Sequence, residues 1–216
     1  LDPSDAQHMV AAAEMLTELG RLDEAEQLLA SRQAEFAHNA GVRQTMGHLA
    51  MLRDDPAEAV VRFREARMLA PDDPSVLEDL ALAQMAASDW AEAEYSLRLM
   101  LDFKENVNRR DLKRMRARCL MALDRPVEAR SILLSLSEDP VGVSDAGVWI
   151  DLGKVALQVG DLNRVRIAAT RIIAMSPERP EGYSLLAAQH LAEGRIDAAL
   201  ATLEKAAARC RDDASP

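Results

Sequence analysis

Small residues recur along this chain at nearly constant spacing: Ala25, Ala59, Ala93, Ala129, Val165 and Ala199, at intervals of 34, 34, 36, 36 and 34 residues. A period of this length is that of one helix-turn-helix unit used repeatedly. Each unit is too small to bury its own apolar face, so it is stable only when stacked on its neighbours. The expected fold is all-α, a solenoid of stacked antiparallel helix pairs. The expected organisation is one array over residues 1–216, with repeats near 6–39, 40–73, 74–107, 110–143, 146–179 and 180–213. Aromatic residues make up only 3% of a chain rich in Ala and Leu, which suits closely spaced helices better than sheets.

Charge narrows the choice of partners. The net charge is −10, so a nucleic-acid partner, which needs a basic face, is not expected. The charge is uneven: residues 1–108 carry 21 acidic and 9 basic side chains (net −12), and residues 109–216 carry 15 and 17 (net +2). No apolar run approaches the roughly 20 residues that span a bilayer, so direct membrane insertion is not expected. The sequence opens at Leu1 without an initiator Met, which leads us to expect a piece of a longer protein. Either a cytoplasmic or a periplasmic location is compatible with this reading.

The repeat pattern is clearest between Trp149 and Pro177. Trp149, Leu152, Gly153 and Ala156 share one helical face, with Gly153 allowing a second helix to come close. Gly160 then ends that helix, Asp161 caps the next, Val165 and Ala169 follow, and Pro177 closes the unit. Other copies run through Met46, Gly47, Ala59, Phe63, Ala66 and Pro71; through Leu77, Leu80, Ala81, Ala93 and Leu97; and through Tyr183, Leu186, Ala187, Gly194, Ala199, Leu203 and Ala206. The first copy carries Ala12, Ala13, Leu16, Gly20, Ala25 and Leu29. In these features the chain resembles the tetratricopeptide repeat family over nearly its whole length. The resemblance implies a right-handed superhelix of about six repeats. It also implies a concave groove, lined by the first helix of each repeat, that binds peptide segments.

One copy departs from the pattern. Around Ala117 and Ala129, places normally held by large apolar residues carry Lys113 and Arg116, and two-residue insertions flank the repeat. Its first helix, expected over Arg109 to Leu123, carries Arg109, Arg110, Lys113, Arg114, Arg116 and Arg118 against Asp111. Leu112, Met115, Cys119 and Ala122 still form a helical stripe, so a helix is expected, rotated relative to the others. Ser135 to Asp145, with Pro140 and Gly142, reads as a longer loop.

Catalytic chemistry has no visible seat: there is no Gly-rich phosphate loop, no HExxH, no nucleophile elbow and no Cys/His cluster. No enzyme activity, cofactor or metal is expected. His8, His38, His48 and His190 are scattered and read as surface or packing residues. Cys119 and Cys210 read as small buried thiols. The pairs Asp54-Asp55 and Asp72-Asp73 sit between helices, where carboxylates cap exposed amides.

What remains is the groove that the resemblance implies, and placing it on this sequence gives two tracks. One holds Thr17, Met51, Met85, Met121, Leu157 and Leu191; the other holds Glu14, His48, Leu82, Arg118, Lys154 and Ala188. The methionines suit an adaptable binding surface, or equally fill gaps between stacked repeats. Arg114, Arg118 and Lys154 could hold a partner's carboxylates, or be neutralised by Asp111 and Asp151. The Lys/Asn carboxylate clamp of chaperone-binding relatives is not matched, because the corresponding places hold Gln44, His48, Glu78 and Leu82.

The candidate groove residues are therefore His48, Met51, Leu82, Met85, Arg114, Arg118, Met121 and Lys154, with the stretch from Met85 to Lys154 as the contact zone. The expected function is a non-catalytic scaffold for a protein or peptide partner with acidic and apolar residues. Two alternatives are kept. One is self-assembly into a homo-oligomer through an apolar end of the array left uncapped by Asp212 to Pro216. The other is the repeat region of a larger enzyme or of an envelope, secretion or polysaccharide-export assembly protein.

Overall fold

The period is carried structurally by the turn inside each helix pair. Gly20, Asp54, Ser88, Asp124, Gly160 and Gly194 all have positive φ, and each stands five residues before a ladder residue. At every one of these turns the positive-φ residue donates its N–H to the carbonyl three places back, and the next residue donates to the carbonyl five places back. In the fifth repeat these bonds are Gly160 to Leu157 at 3.2 Å and Asp161 to Ala156 at 2.8 Å. The two bonds satisfy the last carbonyls of the first helix and reverse the chain direction.

The computed structural model describes residues 3–32 and 34–211, with side chains from Asp5 to Arg209. The Cys210 side chain and the tail Asp212 to Pro216, on which two of the expectations fell, lie outside the described residues. Twelve α-helices and no strand occur among the described residues. In chain order they are α1 (Pro3–Glu18), α2 (Leu22–Ser31), α3 (Ala40–Leu52), α4 (Pro56–Leu69), α5 (Pro74–Ala86) and α6 (Trp90–Asp102), then α7 (Arg110–Ala122), α8 (Pro126–Glu138), α9 (Ala146–Gln158), α10 (Leu162–Met175), α11 (Pro180–Ala192) and α12 (Ile196–Arg211). They form six pairs, as expected for about six repeats. The helices group into two units, residues 1–109 and 110–216.

In the first unit, α1 to α6 bury the small ladder residues Ala25, Ala59 and Ala93 completely. Gly47 lets α4 pack close against α3: a Cβ there would lie 2.6 Å from the Phe63 ring. Of the pairs Asp54-Asp55 and Asp72-Asp73, the second member caps the following helix, while Asp54 takes the positive-φ place in its turn. Asp55 accepts from the Glu58 N–H at 3.0 Å and Asp73 from the Ser75 N–H at 2.9 Å. Each satisfies a donor that has no partner within its helix.

The second unit, α7 to α12, has a continuous core that includes Leu120, Leu133, Trp149, Leu152, Val165, Ile172 and Leu185. A Cβ on Gly153 would lie 2.5 Å from Leu185 Cδ1, so this glycine gives the close approach its pattern implied. The basic helix α7 forms, and its buried face is Leu112, Ala117, Cys119 and Leu120, with Ala122 exposed and Met115 half-buried. This corrects the expected stripe by rolling it toward Ala117 and Leu120.

The expected loop from Ser135 is also corrected. α8 continues to Glu138 because Leu133 and Leu136 keep its apolar face buried, and the irregular stretch shrinks to 139–145, which holds a single 3-10 turn at Gly142–Ser144. That stretch is pinned by α7. Arg110 reaches Asp139 at 3.0 Å and donates to the Leu136 carbonyl at 3.1 Å. A Cβ on Gly142 would lie 1.6 Å from that same carbonyl oxygen, so no other residue fits there.

Candidate functional site

The two tracks differ in how far their side chains reach the surface. On the first, Met51, Met85 and Met121 are half-buried, and only Leu157 and Leu191 are exposed. The second track is exposed at Glu14, His48, Leu82, Arg118 and Lys154, with Ala188 half-buried. Two of the methionines owe their half-burial to packing against the core of their own unit. Met51 packs against the cluster of Ala50, Phe63 and Leu80, and Met121 against the core of the second unit.

In the first unit His48 is not a free surface residue. Its Nε2 is 2.8 Å from Asp79 Oδ2, which also accepts from Gln44 Nε2 at 2.7 Å. The hydrogen bond to Asp79 holds the His48 pKa above its ordinary value, against a smaller opposing effect of burial. The ring also meets Phe63 edge-on at 5.3 Å between centroids. Asp79 thus ties α5 to α3 through two side chains. Glu78, another position where the chaperone-type clamp fails, is engaged by Arg109 through a bidentate pair at 2.7 and 3.1 Å. Leu82 remains exposed nearby.

In the second unit Arg114, Arg118 and Lys154 border one open cavity of about 630 Å³. The Arg114 Nε donates to Asp151 Oδ2 at 2.6 Å, and Asp151 is buried. Asp151 therefore pairs across repeats, not with Lys154 on its own helix. Arg114 is further seated on backbone: a Cβ on Gly147 would lie 2.3 Å from Arg114 Nη1. Asp145, also at the cavity, turns its carboxylate inward to accept the Gly147 and Val148 N–H groups at 2.9 and 3.2 Å. It caps the helix that carries Asp151.

Residue patterning missed a fourth cation at this cavity, Arg179, together with Glu181. Arg179 sits between Pro177 and Pro180, immediately before α11. A search confined to helix faces passes over it, and only its basic charge at a repeat junction could have marked it. Among the described residues, Arg118, Lys154 and Arg179 have no side-chain hydrogen bond or ion pair. Glu181 Oε2 is buried without a hydrogen-bond donor. No group of three His, Cys, Asp or Glu residues able to hold a metal occurs among the described residues, and no helix there is long and apolar enough to cross a membrane.

The tetratricopeptide repeat family pattern matches residues 6–31 and 180–205. No curated protein matches the chain in sequence. Several solved structures match its fold. A tetratricopeptide repeat protein from Parabacteroides merdae aligns with TM-score 0.80 at 16% identity, over 94% of this chain and 79% of that one. The 41-to-end portion of MamA from Desulfovibrio magneticus aligns with TM-score 0.71 at 17% identity, over 82% and 97%. YrrB, a tetratricopeptide protein with an unusual peptide-binding site, aligns with TM-score 0.62 at 17% identity, over 85% and 93%.

Proposed function

We propose, for a chain that is built of tetratricopeptide repeats, that it is a non-catalytic scaffold which binds a segment of a partner protein on the exposed faces of its first helices. The observation that carries this reading lies in the second unit. There Leu157 and Leu191 stand exposed on α9 and α11 while Arg118 and Lys154 stand exposed and unpaired on α7 and α9. Such an alternation of apolar and cationic groups on a preformed surface recognises a peptide by shape and charge, and a rigid groove avoids an ordering cost on its own side. In the first unit we assign His48, Met51, Leu82 and Met85 to the same role, with Leu82 as the most accessible contact. In the second unit the assigned residues are Arg114, Arg118, Met121 and Lys154, of which Met121 and Arg114 act from within the wall. The peptide-binding site of YrrB supports the reading by likeness of fold alone.

The test is panning of a random peptide library on the folded protein. Enriched sequences whose binding is lost in a Leu157→Ser, Leu191→Ser double variant support the reading, and a library from which nothing is enriched ends it. A second reading, self-association, is favoured by Ile196, Leu200 and Leu203, which form an exposed apolar stripe on α12. Light scattering that finds a monomer at high protein concentration removes it.

A further inference from the structure

We infer that the cavity of the second unit takes an acidic peptide segment, whose carboxylates are received by Arg118, Lys154 and Arg179. This rests on the peptide-binding reading above and gives it a ligand class. Four cations border the cavity, but Arg114 is already engaged, bonded to buried Asp151 and lodged against Gly147. It positions the wall and does not contact the ligand. The other three cations have no partner among the described residues. They come from three successive repeats, Arg118 from α7, Lys154 from α9 and Arg179 from the turn that enters α11. An extended chain crossing the first helices meets them in turn.

The carboxylates at the cavity do not cancel this charge. Asp151 is neutralised by Arg114, and Asp145 is turned to the amides of its own helix. Only Glu181 is left, and its buried Oε2 lacks a donor. One carboxylate against three unpartnered cations leaves the cavity with an excess of positive charge to receive a peptide's carboxylates. A cavity of about 630 Å³ is within the range that holds several side chains.

The experiment is fluorescence anisotropy of the 216-residue protein with a labelled octaglutamate peptide and its octaglutamine counterpart. Octaglutamate is expected to bind at least about tenfold more tightly, and the preference is expected to shrink as sodium chloride rises from about 50 to about 500 mM. Arg118→Ala, Lys154→Ala and Arg179→Ala are each expected to weaken octaglutamate binding by about three- to tenfold, while Lys205→Ala on α12 leaves it unchanged. Equal binding of the two peptides, no binding of either, or alanine variants that bind like the parent would overturn the acidic class. So would displacement by inorganic phosphate beyond that of sodium chloride at equal ionic strength, which marks a simple anion site. None of these results touches the peptide-binding reading, which stands or falls on whether the library yields any peptide at all.

Discussion

Arg114 Nε and Asp151 Oδ2 stand 2.6 Å apart, and the two partners are unequally shielded: the Arg114 side chain is 34% exposed and that of Asp151 only 6%. Removing the arginine therefore strands a buried carboxylate, whereas removing an exposed cation of the same cavity strands nothing. Arg114→Ala is expected to destabilise the protein by about 2 kcal/mol, the upper range for such pairs being reduced here by the arginine's contact with water. Arg118→Ala is expected to change stability by less than about 0.5 kcal/mol. Urea denaturation midpoints of the two variants separate these roles, and equal midpoints would show that the pair has no structural weight.

Gly147 adds a steric condition to that pair. A Cβ placed there would overlap the Arg114 guanidinium, with Nη1 at 2.3 Å and Cζ at 2.5 Å. On helix propensity alone Gly147→Ala in α9 would stabilise by up to about 1 kcal/mol. Displacement of Arg114 reverses the sign, and a net loss of about 1 kcal/mol is expected. The check is a double-mutant cycle. In an Arg114→Ala background the overlap is gone, so Gly147→Ala should become neutral or stabilising. Additive effects in the cycle would refute the coupling.

The six positive-φ turns offer a test in which side-chain contacts play no part. A Cβ at Gly160 would meet nothing within 4 Å, so the cost of Gly160→Ala is purely that of a left-handed backbone at φ 74°. It is expected to be about 1 kcal/mol. Ser88 already sits at φ 62° with a Cβ. Ser88→Gly relieves that strain, partly offset by the greater freedom of glycine in the unfolded chain, and is expected to gain about 0.5 kcal/mol. Thermal melts of both single variants give the two signs, and a loss at Ser88→Gly would contradict the account.

The ladder of Ala25 to Ala199 made the fold legible because each of its residues is buried where the helices pack, and packing of that kind repeats with the chain. Gly153 was legible for the same reason. The end of α8 was not, because Ser135, Ser137, Pro140 and Gly142 look like a loop when the burial of Leu133 and Leu136 is unknown. At the candidate site the exposed pair Arg118 and Lys154 could be read from helical register. The partner of Arg114 could not. Helical register sets Asp111 beside Arg114 and Asp151 beside Lys154, whereas Arg114 meets Asp151 37 residues away, close to one repeat period, where stacking brings α7 beside α9. Gln44 and His48 reach Asp79 in the same way, across 35 and 31 residues. Side-chain pairs in a stacked array follow the repeat period as much as the helical one.

His48 and Asp79 supply a pH dependence whose direction follows from their geometry. Asp79 and, more weakly, Glu14 favour the charged imidazole, so the His48 pKa in the folded protein lies above its ordinary value of 6.5. Folding then binds a proton more tightly than the unfolded chain does. The stabilisation is fully present below the unfolded value and is lost as pH rises through the folded one. Because His48 is half exposed, its contribution is less than about 1 kcal/mol. The parent protein should therefore lose stability between about pH 6 and pH 8.5 by more than a His48→Gln variant, which keeps a hydrogen-bond donor to Asp79 but does not titrate. The measurement is the urea midpoint of both proteins at the two pH values. Parallel pH dependence in the parent and the variant would show that the His48–Asp79 contact carries no proton linkage.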